Sequence, residues 1–185
     1  KIYLDLLANG RPDKHQRYLD VLNEQSDRLQ MLIEQLLKVS ALDLDRLTVE
    51  LKPVDVNQLA RDLITHFTSR ALEAKVTLKL TVEPGLPRVM ADATALAQAV
   101  GNLLQNALAY TPAGGTVTVT TQRQTPAAQD WVTLMVADTG PGISDRDLPH
   151  IFERFYRGEA AHDYRTPGVG LGLTLSRDLI HRLGG

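Results

Sequence analysis

The chain has 185 residues, 43% hydrophobic and 23% charged, with a formal net charge of −2 and no cysteine. That length can hold one full domain plus a smaller element, or two small domains, and the composition is that of an ordinary globular protein with a sizeable core. The charge balance argues against a protein that works by coating nucleic acid, and the lack of thiols excludes disulfides, thiolate zinc sites and cysteine nucleophiles.

No apolar run approaches the roughly 18–20 residues of a membrane span, and no signal peptide opens the chain. Lys1 falls inside a helical pattern, so the sequence is expected to be part of a longer one. Ile2, Tyr3, Leu4, Leu6 and Leu7, closed by Asn9-Gly10, read as the tail of a helix. A second helix follows from Pro12 to Leu47. Pro12 and Asp13 suit its first turn, and Leu19, Leu22, Leu29, Ile33 and Leu36 step by threes, fours and their sums. Met31, Leu32, Leu37, Val39 and Leu42 widen this stripe beyond a two-stranded seam, which places the helix in a bundle. Residues 1–47 are therefore expected to form a helical hairpin.

Beyond Leu47 the period changes. Strand-like runs lie at Thr48–Lys52, Val76–Val82, Thr116–Gln122 and Trp131–Ala137. Helical stretches lie between them at Asn57–Ala74 and Asp92–Tyr110, the second with Asp92 as N-cap, and a last helix runs from about Gly172 to Leu183. The polar Gln124–Asp130 reads as a hairpin loop. Strands and helices mixed in this order give an α+β class, a layered α/β sandwich over residues 48–185.

Three clusters carry chemistry. In Asn102-Leu-Leu-Gln-Asn106-Ala-Leu-Ala-Tyr110 the two asparagines are four apart, so their amides share a helix face. Flanking Leu103, Leu104, Ala107 and Leu108 suggest a largely buried helix, whose amides need partners that a bound metal or phosphate would supply. An amide oxygen is a hard neutral ligand suited to magnesium; the same spacing also occurs on plain solvated faces. The second cluster, Val136-Ala-Asp138-Thr-Gly140-Pro-Gly142, ends a strand. Its glycines let backbone come close to a planar ligand, and Asp138 can accept a hydrogen bond from an amino group; a tight turn is the plain alternative. The third, Gly168-Val-Gly170-Leu-Gly172, opens the last helix and reads as a phosphate cradle or as a flexible loop. Between the second and third, Arg154, Arg157 and Arg165 are candidate phosphate contacts, Glu159–Pro167 reads as a mobile lid, and Phe152 and Phe155 are expected to pack.

In this order and spacing the motifs resemble the N, G1, F and G2 boxes of sensor histidine kinases, and the hairpin before them is similar to that family's dimerisation and phosphotransfer domain. The resemblance covers essentially the whole chain. It implies half of a dimeric four-helix bundle, followed by a sandwich of the GHKL ATPase type with a mixed sheet and three main helices. It implies ATP and Mg2+ as cofactors, with Asn106 on the metal and Asn102 beside it at the phosphates. Tyr110 would line the adenine side, Asp138 take the adenine amino group, and Gly140 and Gly142 shape that pocket. Arg157 would reach the terminal phosphate, with Gly168, Gly170 and Gly172 flanking the lid and the triphosphate. The implied reaction moves the γ-phosphoryl to a histidine and then to an aspartate of a response-regulator receiver domain. A homodimer through the hairpin, a cytoplasmic location and no nucleic-acid partner follow from the same resemblance, with any membrane anchor upstream.

Three departures stand out. The family's acceptor histidine would fall before Lys1, and His15, His66, His150, His162 and His181 all lack its context. The chain reaches Gly184-Gly185 where the family continues into closing strands. Ala109 stands where the family usually has a lysine. Two other classes stay open. One is a GHKL-type ATPase, whose members carry a water-activating glutamate at the position of Asn102. The other is a pseudokinase or dimerisation module that binds ATP for regulation alone.

Overall fold

The computed structural model describes residues 15–16, 18–23, 26, 48–125, 130–158 and 169–185. The expected hairpin lies mostly outside these, although the described residues between 15 and 26 are helical. Gly168, Arg165 and the Glu159–Pro167 stretch also lie outside them.

From residue 48 the order is β1 (Lys52–Val54), α1 (Val56–Glu73), β2 (Thr77–Val82), β3 (Val89–Ala91), α2 (Ala93–Tyr110), β4 (Thr116–Gln124), β5 (Trp131–Asp138) and α3 (Gly172–Arg182). The main sheet has the order β2-β4-β5, with β2 parallel and β5 antiparallel to β4, so it is mixed as expected. Strand β4 runs through its centre and alternates cleanly. Val117, Val119 and Thr121 are buried and the residues between them are less so, the period-2 signature of a strand with one face on the core. Helices α1 and α2 cover that face. Phe67, Ala71, Val100, Leu104 and Leu108 pack with Val117 and Val119 into one cluster, in which Leu104 is 0% exposed. Truncating a leucine this enclosed costs about 2–5 kcal/mol.

Both long helices begin on aspartates. Asp55 accepts from Gln58 N at 3.0 Å, and Asp92 accepts from Thr94 N at 2.9 Å and Ala95 N at 3.0 Å. Asp92 also takes Glu50 N at 3.0 Å, the bond that does most to hold its carboxyl below the usual range. That bond also corrects the expected first strand. Glu50 gives its N–H to a carboxylate rather than to a ladder, and pairing is confined to Lys52–Val54 against β3. Pro53 is tolerated there because β1 lies in a two-stranded sheet.

Helix α3 packs on the other side of α2. Ala95 and Ala99 meet Leu175 and Leu179 in a second cluster, and the small alanines let the two helices approach closely. One flank of α2 therefore faces the sheet and another faces α3. Its C-terminal half lies against the start of α3.

Candidate functional site

The C-terminal half of α2 carries Asn102, Asn106 and Tyr110 at successive i, i+4 positions. The helix stops at Thr111, as expected ahead of Pro112, and Thr111 Oγ1 donates back to Ala107 O at 2.6 Å. Leu104, Ala107 and Leu108 are buried and the two asparagines half-buried, so the polar line runs along the edge of the core rather than through solvent.

The turn after β5 is brought against this helix end. Asp138 Oδ1 accepts from Gly140 N at 2.8 Å, closing an Asx turn. A Cβ on Gly140 would lie 2.7 Å from that oxygen and 2.9 Å from Tyr110 O, so no side chain fits at position 140. Tyr110 and the Asp138 turn thus come together through backbone. Gly142 has a φ of +76°, and a Cβ there would meet nothing within 4 Å. Asp138 is exposed, with its second carboxylate oxygen left to a ligand or to water.

The start of α3 closes another side. Asn102 Nδ2 donates to Gly172 O at 3.2 Å and to Ser176 Oγ at 3.3 Å. The NH2 end of the Asn102 amide thus finds its partners in protein. Asn106 is different, since its side chain makes no hydrogen bond with the described residues, and a half-buried amide oxygen is a fitting ligand for magnesium. Gly170, at φ +73°, lies against the backbone of the preceding segment. A Cβ on it would come within 2.4 Å of Tyr156 O, and Phe155 N donates to Gly170 O at 2.9 Å. Arg157 follows Tyr156 on this turn, half-buried and with partners of its own.

The expected packing of Phe152 and Phe155 is not found. They are 39% and 57% exposed. The segment is a run of turns held by its backbone, Phe152 O accepting from Thr174 Oγ1 at 2.9 Å, so its rings are not drawn into the core. The Phe152 ring instead carries the Arg177 guanidinium at 5.6 Å.

Two residues that sequence reasoning passed over shape the site. Asp147 is only 7% exposed and accepts from Tyr156 OH at 2.6 Å, a bond that raises the phenol above its ordinary range. A Cβ on Gly158 would lie 2.7 Å from its other oxygen, so glycine is required beside it. Nothing in the run Ser144-Asp145-Arg146-Asp147 distinguishes this aspartate from its exposed neighbour Asp145. Ser176 is the other. Its signal was a small polar residue four positions after Gly172 in an otherwise apolar helix face.

Three separated motifs thus converge at one end of α2: an exposed carboxylate on a glycine turn, an amide unbonded among the described residues, and a helix opened by glycines. Together they offer an acceptor for an amino group, an oxygen ligand for a hard cation and backbone donors for anionic oxygens.

Residues 91–185 match the family model described as histidine kinase-, DNA gyrase B-, and HSP90-like ATPase. The chain is 39% identical over 168 residues to the sensor protein CreC of Escherichia coli, an alignment spanning 90% of this chain and 34% of CreC. It is 34% identical over 186 residues to the sensor histidine kinase Hik2 of Thermosynechococcus vestitus, spanning 97% of this chain and 47% of Hik2. Among solved structures, full-length ShkA in complex with AMPPNP superposes with a TM-score of 0.77 at 29% identity, covering 97% of this chain and 36% of ShkA. The chain therefore spans between a third and a half of the length of these relatives. Among the described residues no helix is long and apolar enough to cross a membrane.

Proposed function

The chain belongs to the histidine kinase-, DNA gyrase B- and HSP90-like ATPase family, and from that premise we propose that it is the ATP-binding catalytic part of a two-component protein histidine kinase. The convergence of the Asp138 turn, the Asn106 face of α2 and the glycine-led start of α3 supports this reading. In it, Asp138 accepts from the adenine amino group through the carboxylate oxygen that Gly140 N leaves over. Tyr110, Gly140 and Gly142 form the wall around the base. Asn106 holds the magnesium through its amide oxygen, and Asn102 lies beside it. Gly170 and Gly172 present backbone to the phosphates, and Gly168 and Arg157 belong to the same phosphate end. When bound, ATP supplies the γ-phosphoryl group that passes to a histidine and then to a receiver-domain aspartate.

An asparagine at 102 favours transfer over hydrolysis. An amide has no basic site with which to take a proton from water, so the glutamate chemistry of the hydrolytic relatives is unsupported here. What remains for these side chains is positioning and charge stabilisation, which supply most of the catalysis in phosphoryl transfer. A homodimer through the residues before 48, a receiver-domain partner and a cytoplasmic location complete the reading. The net charge of −2 supports the absence of a nucleic-acid partner.

Calorimetry tests the assignment. Asp138→Ala should weaken ATP and ADP alike by about 1–3 kcal/mol, the cost of a lost charge-assisted bond, with magnesium dependence retained. Equal affinities in wild type and variant would overturn the role given to Asp138.

A further inference from the structure

We infer that Ser176 is a positioning residue that, together with the Gly172 carbonyl, holds the NH2 end of the Asn102 amide on α3 and so turns its oxygen to the nucleotide. The inference rests on the ATP-site reading above. The argument is one of donors and acceptors. Gly172 O can only accept, so the end of Asn102 that lies 3.2 Å from it must be the NH2 group. The Ser176 hydroxyl stands 2.9 Å from Gly172 O and 3.0 Å from Ala99 O, and both of these are carbonyls. Its single proton goes to one of them, which leaves a lone pair for Asn102 Nδ2 at 3.3 Å.

Turning the amide over would set Oδ1 against Gly172 O with no proton between them. The hydroxyl could donate to the turned-over oxygen only by abandoning both carbonyls, and the contact with Gly172 O would stay without a proton. The NH2 end is therefore locked toward α3, and Asn102 presents an oxygen, an acceptor, on its remaining side. That oxygen accepts no hydrogen bond from the described residues.

Ser176 cannot do this by touching a ligand, since it is 4% exposed. It works through Asn102, and its two carbonyl partners come one from each helix. A Cβ on Gly172 would lie 3.9 Å from Asn102 Cβ, so the amide sits directly against the first turn of α3. A shift of that turn would reach Asn102 through two hydrogen bonds.

The test is a double-mutant cycle read by the binding of magnesium-AMPPNP to the 185-residue chain. Ser176→Ala should weaken binding about 3–10-fold, the range of one lost hydrogen bond. In an Asn102→Ala background the same change should have no further effect, because the group it positions is gone. A role in packing α2 on α3 would give the same loss in both backgrounds, and that result would overturn the inference, as would unchanged affinity in Ser176→Ala. By NMR the Asn102 side-chain NH2 resonances should move in Ser176→Ala while those of Asn106 stay in place. Should Ser176→Ala not fold, Ser176→Cys keeps the volume, replaces the hydroxyl with a weak acceptor, and carries the same cycle. A wild-type chain that does not bind magnesium-AMPPNP would overturn the ATP-site reading and this inference with it. Binding with additive losses overturns this inference alone.

Discussion

Two junctions in this fold are each built around an asparagine, and they end differently. Where α1 meets the sheet, Asn57 donates to Glu83 O at 2.8 Å and accepts from Thr121 Oγ1, so both ends of its amide are used. Where α2 meets α3, Asn102 spends its NH2 on Gly172 O and Ser176 Oγ, and neither its oxygen nor the Asn106 side chain bonds a described residue. The first junction occupies both ends of its amide within the protein. The second leaves acceptors over at the edge of the core, and it is there that the glycine turns gather. Buried polar groups of native proteins find partners, so valence left open in a half-buried place is left to water or to a ligand.

The comparison breaks most directly at Asn57. Asn57→Ala would strand the Glu83 carbonyl and the Thr121 hydroxyl, each an unsatisfied group costing about 1–3 kcal/mol. Chemical denaturation should show a loss of roughly 2–4 kcal/mol. Nucleotide affinity of the folded fraction should stay as in wild type.

At the open junction the pattern should reverse. Asn106→Ala removes a group without a hydrogen bond to the described residues, so the melting temperature should hardly move. Affinity for magnesium-ATP should fall by about 1–3 kcal/mol, with much less change for nucleotide in the presence of a chelator. Loss of stability with unchanged affinity would place Asn106 with Asn57 and remove the contrast.

Smaller again is the effect of Asp92→Ala, at the far end of the same helix. Asp92 accepts from Glu50, Thr94 and Ala95, and the loss of a cap of this kind costs about 1 kcal/mol. Its carboxyl is lowered in the folded chain, chiefly by the Glu50 N–H and then by Ala95. The stability it contributes is therefore present above its unfolded pKa and is lost as pH falls through the folded one. Acid titration of stability should show wild type losing its advantage over Asp92→Ala only in that acidic window.

The smallest change is expected from Ala109→Lys, which restores the cation usual in the family to the last turn of α2. A half-exposed charge there is worth about 0.5 kcal/mol, so ATP affinity should rise two- to threefold at low salt and return to the wild-type value at high salt.

How much of this was legible follows from whether a signal is local. Asp92 could be read because a cap is a property of a few neighbouring residues. The asparagine pair and the Asp138-Thr-Gly140 turn are local in the same sense. Strand β3 was missed because Val89–Ala91 is three residues long, follows Pro87 and Arg88, and is a strand only through pairing with β1. The first strand was set too early because the sequence shows alternation at Thr48–Lys52 but not that Asp92 captures the Glu50 N–H. Asp147 and Ser176 escaped because the partners that matter, Tyr156 for one and Ala99 and Asn102 for the other, lie too far along the chain to be read locally. Phe152 and Phe155 misled because an aromatic pair signals packing only where the backbone turns it inward.

The parallel pairing of β2 with β4 has a consequence for how the molecule assembles. The two strands register from Thr77 against Thr116 to Val82 against Thr121, and β3 and the whole of α2 lie between them in sequence. Loop closure across that span must be met before the ladder rewards it, a non-local step that slows folding. The residues proposed to meet nucleotide lie on α2, after β5 and at the start of α3, all at or beyond this crossover. A half-folded chain therefore has no partial version of the pocket to offer. Nucleotide should bind the completed fold alone, and by mass action it would stabilise the whole domain by about 2.7 kcal/mol at a hundredfold excess over Kd.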